Sequence, residues 1–511
     1  MEKYAYLNDE IQNSNFNVRI YYAKKINNFL ELLEFEQIIN DFIPYITKYI
    51  LNKEKNEEVL TEYAKKLNYI IEYILEKNTN NINIFPSLEM LINCYFNKLL
   101  NNEDEIIREE SINSLIYLIN KNNIFFNEYL YKLINNIENF KKLEYTKISI
   151  CSILPNFFSN IKNDKNKLNE YVKLYETLLN DNPNICRFAI QSYQKLINLL
   201  DKDKSSLLML ELILKQSLNL IDNQNDMIKV NSLETLKKVM NFQVEQELDL
   251  SIENSKNLKI ILMSKLEAFF NQNNNWRIIS AYIECYFSMF HLLLNESHNN
   301  EFINKFFPYL KACLQNINSE IEIKISILNN LYILINNGYI EQFENYFFPI
   351  LQNNTINDVN FFIRQSLVEN LNKILKYENV NYENLFKNIY NIFSQLLKDN
   401  FYEVRYSIVK SIIINKNNII FYLKLFDLII KIDEWRIRFE MLKRLDNIIQ
   451  ILIENKNVNN EVIEMLNKYI LIFFEDKAND IRIYNLNLII KLIKNNFIID
   501  IEKDIIPLQL N

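Results

Sequence analysis

The sequence predicts an all-α solenoid of about twelve antiparallel helix pairs. Two observations carry this prediction. The chain has 511 residues but a single glycine, Gly338, whereas sheet proteins need glycine for hairpin turns and bulges. An aliphatic residue followed by Arg or Lys also recurs about every 40 residues, a period typical of stacked helical repeats. Each unit of such an array buries its apolar face only against its neighbours, so we expect one continuous array over residues 1–511.

Each aliphatic-basic pair begins an amphipathic helix, here named the inner helix of its repeat. In the ninth repeat, Leu367, Leu371 and Ile374 follow the spacing of one helical face. The pattern predicts twelve inner helices, which begin near Arg19, Leu60, Arg108, Lys147, Arg187, Lys229, Ile279, Lys324, Arg364, Arg405, Arg438 and Arg482.

A second helix, named the outer helix, precedes each inner helix. Several outer helices carry a proline after two bulky apolar residues, at Pro44, Pro86, Pro308, Pro349 and Pro507. Proline is tolerated in the first turn of a helix and kinks the helix when it lies deeper. Its recurrence at one place in the repeat therefore predicts a bend in the outer helices.

The basic residue of each pair lies in the first turn of its inner helix, where the helix dipole disfavours a cation. An Asp, Glu or Asn in the turn of a neighbouring repeat is the simplest compensating partner. Stacked repeats would then form a ladder of acidic and basic groups. If the pairs are exposed, each contributes roughly 0–1 kcal/mol, and the loss of one pair should be tolerated.

Charge and composition limit the classes of function. The net charge is −7 and the pI is about 5.4, which argues against nucleic acid as the main partner. No apolar run approaches the length of about 18 residues that a membrane span needs, and the first residues, MEKYAYLNDE, do not resemble a signal peptide. The 5 scattered cysteines are expected to be buried free thiols in a reducing compartment. We expect a cytoplasmic protein, with additional nuclear localisation as an alternative.

Residues with catalytic or metal-binding patterns are missing from the sequence. His291 and His298 are the 2 histidines, and neither lies in a zinc-binding arrangement. One glycine cannot form a phosphate-binding loop, and no nucleophile motif occurs. The sequence therefore predicts a protein that is not an enzyme and has no cofactor, metal or small-molecule substrate.

The two tryptophans of the chain each precede an arginine, as Trp276-Arg277 in the seventh repeat and Trp435-Arg436 in the eleventh. In this register the sequence resembles HEAT-repeat proteins and, among them, the scaffolding (A) subunit of protein phosphatase 2A, which carries a Trp-Arg-Val-Arg motif at both repeats. Further similarity lies in the segments EEVLTEYAKKL, IIREESINSL, DNPNICRFA and YEVRYSIVKSI. The resemblance extends over essentially the whole chain.

This resemblance implies a superhelical horseshoe without catalytic activity. Its intra-repeat turns, which join each outer helix to its inner helix, would bridge a serine/threonine phosphatase catalytic subunit and a regulatory B-type subunit. Residues 1–340 would form the regulatory-subunit side and residues 341–511 the catalytic-subunit side. The residues that match protein-binding positions are Asp181, Pro183, Arg187, Trp276 and Arg277 on the regulatory side and Trp435 and Arg436 on the catalytic side.

The sequence departs from the family pattern in three places. It ends inside a thirteenth pair, whereas the family has fifteen repeats, so the resemblance implies a truncated catalytic-subunit side. The turn KKLEYTKIS before Lys147 lacks the Trp-Phe pair of the family, and Ile279 replaces the second basic residue of the motif.

Two alternatives remain open at this point. Trp276 and Trp435 could pack between repeats, because a buried indole stabilises a fold wherever it lies. A HEAT-repeat nuclear transport receptor or trafficking adaptor is the alternative function, since such proteins are also acidic and all-helical.

Overall fold

The computed structural model describes residues 11–78, 83–121, 124–135, 140, 143–246, 264, 275–293, 299–376, 383–455 and 460–494. Throughout these ranges the regular secondary structure is helical, and no strand occurs in them. The all-α prediction is confirmed.

The twelve predicted inner helices all occur. They are Phe16–Lys24, Glu57–Lys77, Glu105–Asn120, Glu144–Ile153, Pro183–Ile197, Asp226–Gln246, Trp276–Leu293, Ile321–Asn330, Phe361–Ile374, Tyr402–Lys410, Trp435–Asn455 and Asn479–Lys494. Hydrogen bonds from capping side chains explain where several of these helices begin. The side chains of Asn15, Asn56 and Asp104 each accept a hydrogen bond from a backbone N–H in the first turn, which satisfies a donor that has no partner inside the helix.

The outer helices alternate with the inner ones. Described outer segments are Phe35–Gln37, Ile43–Asn52, Phe85–Cys94, Ile124–Asn135, Lys165–Leu179, Lys204–Leu220, Asn299–Gln315, Ile340–Gln342, Phe348–Asn353, Glu383–Leu396, Ile419–Ile429 and Asn460–Phe474. Shorter helical segments are Ile26–Leu30, Phe158–Ile161 and Tyr332–Asn336, with 3-10 turns at Leu154–Phe157 and Thr355–Asn357. Gly338 has a φ of 81° where the chain leaves the segment Tyr332–Asn336, a conformation that side chains other than glycine disfavour.

The prolines interrupt the outer helices in two repeats. Five-residue π-helical turns, Ile38–Phe42 and Phe343–Phe347, lie directly before the segments that begin with Ile43-Pro44 and Phe348-Pro349. A π turn inside a helix is a recognised cause of bending, so the predicted break is found at these two places. Pro86 lies instead in a first turn, Pro308 lies inside a continuous helix, and Pro507 lies outside the described residues.

The chain divides into two compact units, Met1–Leu258 and Lys259–Asn511, here named the first unit and the second unit. In the first unit, Glu57–Lys77 packs against Glu105–Asn120, and in the second, Ile321–Asn330 packs against Phe361–Ile374. The buried side chains are mainly Ile, Leu, Phe and Tyr. Most of the residues around the boundary lie outside the described ranges, so the single continuous array stays a prediction.

Candidate protein-interaction site at the intra-repeat turns

Six of the basic residues of the inner helices pair with a carboxylate of the following turn, as the sequence predicts. Arg364 donates from Nε and Nη2 to the two carboxylate oxygens of Asp399, at 2.6 and 2.9 Å. Arg438 binds Asp476 in the same bidentate way, at 2.7 and 3.0 Å. This set of pairs is named the turn ladder, and its other rungs are Arg19–Glu54, Lys147–Asp181, Lys324–Asp358 and Arg405–Glu434.

The arginines also bind the backbone of their own turn. Arg405 donates to the carbonyl oxygen of Asp399, six residues earlier, while the carboxylate of Asp399 accepts from Arg364. Asp476 likewise accepts from Arg482 through its carbonyl, at 2.5 Å, and from Arg438 through its carboxylate. One aspartate therefore connects two repeats, and the carboxylates and carbonyls compensate the cations that the helix dipole disfavours.

The rungs are more buried than expected. The side chain of Arg364 is 9 % exposed and that of Asp399 is 7 % exposed. Removing one partner of a buried ion pair leaves an uncompensated charge and typically costs about 3–5 kcal/mol. The expectation that these pairs are exposed is wrong for most rungs, because stacked repeats cover the turns on which they lie. That the loss of one pair is tolerated stays a prediction.

Two carboxylates of the ladder, Asp399 and Asp476, have a lowered pKa. Burial by itself would raise the pKa of Asp399, but hydrogen bonds from Arg364 and from the backbone N–H of Phe401 outweigh it and lower the pKa below its usual value. Asp476 follows the same rule: burial opposes ionisation, and Arg438 together with the N–H of Ala478 lowers its pKa.

Of the predicted protein-binding residues in the fifth repeat, one belongs to the ladder. Asp181 accepts from Lys147 Nζ at 2.6 Å and from the backbone N–H of Asn182 at 2.7 Å. Pro183 is exposed as the first residue of its helix. Arg187 is half-buried, and its guanidinium lies 4.8 Å from the ring centroid of Phe188.

Each predicted Trp-Arg pair lies at the first two positions of an inner helix. The guanidinium of Arg277 lies 4.7 Å from the ring centroid of the half-buried Trp276. Arg436 is exposed and lies 5.7 Å from the ring centroid of Trp435, which is itself 40 % exposed. Trp435 is thus not enclosed between repeats. The structure places the predicted residues in three separate turns, and their role in binding stays a prediction.

Sequence reasoning missed a row of exposed apolar side chains at the turns of the second unit. Val359 is 93 % exposed, and Phe362 and Phe401 are also exposed. The rings of Phe361 and Phe401 stack across neighbouring repeats with centroids 5.0 Å apart. A partial signal was available three residues before the basic or equivalent position of each inner helix. The residues there are Trp276, Ile321, Phe361, Tyr402, Trp435 and Asn479 in the second unit, and Phe16, Glu57, Glu105, Glu144, Asn184 and Asp226 in the first unit.

The described residues show little that could support catalysis. They contain no group of three or more His, Cys, Asp or Glu residues placed to hold a metal ion. Cys94, Cys151, Cys186 and Cys285 are buried, and burial raises the pKa of the Cys186 thiol to about 11. A search of the described helices for one long and apolar enough to cross a membrane found none.

Comparison with known proteins shows the fold. No protein-family model and no curated protein matches the chain. Two structures of Kap121p match this chain over 100 % of its length. The structure of a Kap121p mutant has a TM-score of 0.52 and a sequence identity of 13 %, and the match covers 50 % of that chain. The structure of Kap121p bound to Ste12p has a TM-score of 0.51 and an identity of 11 %, and the match covers 51 % of that chain. Yeast importin-beta (Kap95p) matches at 0.46 and 10 %, covering 97 % and 69 %.

The chain spans about half the length of the Kap121p structures. At these identities the similarity concerns the fold, which is that of a HEAT-repeat α-solenoid. The broad resemblance to HEAT-repeat proteins is therefore confirmed, whereas the narrower resemblance to the phosphatase 2A scaffold finds no support in these matches.

Proposed function

We propose that this protein is a non-catalytic α-solenoid of the nuclear transport receptor class, which binds protein partners through its intra-repeat turns. The observation that carries this proposal is the match to Kap121p over 100 % of the chain, including a structure of Kap121p with Ste12p bound. Kap121p is a nuclear transport receptor, and its structures match this chain over its whole length.

The turn geometry supports partner binding. The turn ladder fixes each turn relative to its neighbour, so the exposed side chains beside it are preorganised. In the second unit those side chains combine aromatic rings with arginine, the residue types that dominate protein–protein hot spots. A receptor of this class would move between cytoplasm and nucleus, which agrees with the localisation inferred from the sequence.

A phosphatase scaffold is the second candidate, and one observation favours it. Trp435 and Arg436 are both exposed at the first turn of the eleventh inner helix, as the resemblance to the scaffolding subunit requires. Both candidates are interaction proteins, and they differ in the identity of the partner.

Affinity purification of the full chain from its native cells, with quantitative mass spectrometry, tests both candidates. The transport proposal predicts recovery of nuclear transport components and of cargo, and it predicts nuclear accumulation of a fluorescently tagged chain when export is blocked. Stoichiometric recovery of a phosphatase catalytic subunit and a B-type subunit would overturn it in favour of the scaffold. Recovery of neither group would reject both candidates.

A further inference from the structure

We propose that the fifth repeat contains an acceptor site for a carboxylate of a partner protein, formed by Arg187 in a rung for which the described residues supply no acid. The inference rests on the proposed function in one respect, since the carboxylate comes from a bound protein. We name this place the incomplete rung.

The register of the ladder shows which residue should supply the acid. Asp358 and Asp399 each lie six residues before the arginine of their own repeat and accept from the basic residue of the preceding repeat. Arg187 should therefore pair with the residue six positions before Lys229. That residue is Asn223, which carries no charge. Its side-chain oxygen accepts from the backbone N–H of Asn225 at 2.9 Å, as Asp399 accepts from the N–H of Phe401, so the turn is alike and only the charge is missing.

The contacts of Arg187 agree with an incomplete rung. Its Nε is buried without a hydrogen-bond partner, and the side chain makes no hydrogen bond or ion pair with the part of the chain that the structure describes. Its one described interaction is with the ring of Phe188, at 4.8 Å. Arg364, at the equivalent place in the second unit, binds both carboxylate oxygens of Asp399 and two backbone carbonyls.

A carboxylate is the group that fits this guanidinium. A buried donor without an acceptor costs free energy, which a bound acceptor would recover. The planar fork of arginine matches the two oxygens of Asp or Glu, as the rungs of Arg19, Arg364 and Arg438 show in this chain.

The surroundings favour a protein as the source of that carboxylate. Pro183 and Asn184 are exposed in the first turn of the same helix, and Met227 is exposed in the first turn of the next inner helix. An Asp or Glu side chain on an extended segment could reach Arg187 while the residues beside it lie on Pro183 and Met227. The partner chemistry is thus an acidic residue with apolar neighbours.

The first test asks whether the rung is incomplete, and it needs no partner. Asn223→Asp places a carboxylate where most other rungs have one, and we expect the melting temperature of the full chain to rise by about 1–2 °C. The matched control is Gln224→Glu, which adds the same charge at an exposed neighbouring position that supplies the acid in no described rung and should give no such rise. An unchanged or lower melting temperature for Asn223→Asp, or an equal rise in the control, would overturn the proposal.

The second test asks whether a partner completes the rung. A phage-displayed random peptide library is selected on the full chain and depleted on the Asn223→Asp variant, and the surviving peptides are titrated by fluorescence anisotropy. We expect the peptides to share an Asp or Glu, and their affinity to fall at least about tenfold with Arg187→Gln and with Asn223→Asp. Replacing that acid by Asn or Gln in the peptide should have the same effect.

Two outcomes of the second test overturn the proposal. They are the absence of any enriched peptide and enrichment of peptides whose binding does not depend on Arg187. Neither bears on the proposed function, which is tested by affinity purification. If Arg187→Gln retains the purified partners, the receptor proposal stands while the incomplete rung is rejected as a docking site.

Discussion

The turns of the two units differ in how they are connected. In the second unit, four consecutive rungs connect five repeats, from Lys324–Asp358 to Arg438–Asp476. In the first unit the described rungs are separated: Arg19 and Lys147 pair with a carboxylate of the next turn, whereas Arg108 binds the carbonyls of its own turn and lies 4.8 Å from the ring centroid of Tyr145 in the next repeat. A continuous ladder couples each turn to the next, so the second unit should present a more rigid surface.

The exposed side chains differ in the same way. Three residues before the basic position, the second unit has aromatic or aliphatic residues such as Phe361 and Trp435, and the first unit has mostly acids such as Glu105 and Glu144. Acids at a helix N-terminus are stabilised by the dipole, whereas exposed rings there have no such explanation. At these positions the second unit is therefore mostly apolar and the first unit mostly acidic, and we expect a partner to meet a more apolar surface at the turns of the second unit.

Breaking a buried rung of the second unit should have the largest effect. Asp399→Asn keeps the size of the side chain but leaves the buried Arg364 without its counter-ion, so we expect a loss of about 3–5 kcal/mol of local stability. Hydrogen exchange in Phe361–Ile374 and Tyr402–Lys410 would report it. Arg108→Gln in the first unit removes bonds to two carbonyls and the contact with the Tyr145 ring but breaks no ion pair of the ladder, so it should cost about 1–2 kcal/mol. Equal losses would contradict the contrast between the units.

Acid should weaken the same rungs. The pKa of Asp399 and of Asp476 is lowered in the folded protein, so their stabilisation is complete above the unfolded pKa of about 3.9 and is lost as the pH falls through the folded value. Melting temperatures of the wild type should therefore drop below about pH 4 more steeply than those of Asp399→Asn. Parallel curves for the two proteins would show that Asp399 does not carry this dependence.

Phe401→Ala tests whether the exposed rings also support the ladder. The ring of Phe401 stacks on Phe361 and lies 5.4 Å from the guanidinium of Arg364, so its removal should cost about 1–2 kcal/mol in urea unfolding. The comparison in the first unit is Ile106→Ala, another exposed first-turn residue, which should stay within about 0.5 kcal/mol. A smaller loss of stability for Phe401→Ala than for Ile106→Ala would show that the ring of Phe401 does not stabilise the ladder.

The smallest effect on stability is expected for Trp435→Ala combined with Arg436→Ala. Both side chains are exposed, so the free energy of unfolding should change by less than about 1 kcal/mol. If the scaffold candidate holds, titration with a phosphatase catalytic subunit should show a binding loss of about 2–4 kcal/mol. Absence of binding by the wild type would remove that candidate, and a large fall in melting temperature would show that the pair is part of the core.

Local patterns in the sequence were sufficient for the helices and for the existence of the ladder. The inner helices begin at cap residues such as Asn15 and Asn56, and capping depends on the nearest residues. The period brings each basic residue beside the next turn, which made the partners of Arg364 and Arg405 predictable. The candidate site was harder to predict from the sequence, because the exposure of Trp435 depends on residues distant in sequence.

What only the tertiary structure decided was which rungs are buried and complete. Arg364 and Arg187 both follow an apolar residue in the first two turns of an inner helix, and nothing local distinguishes them. Arg364 lies in a buried pair with an acid 35 residues away, whereas Arg187 has a buried Nε without a partner. The next repeat supplies the acid and also the residues that bury the pair. Burial makes a charge that has lost its partner costly, so the loss of a buried rung destabilises the fold more than the loss of an exposed one. The period determined that repeats stack, and the stacking determined the strength of each rung.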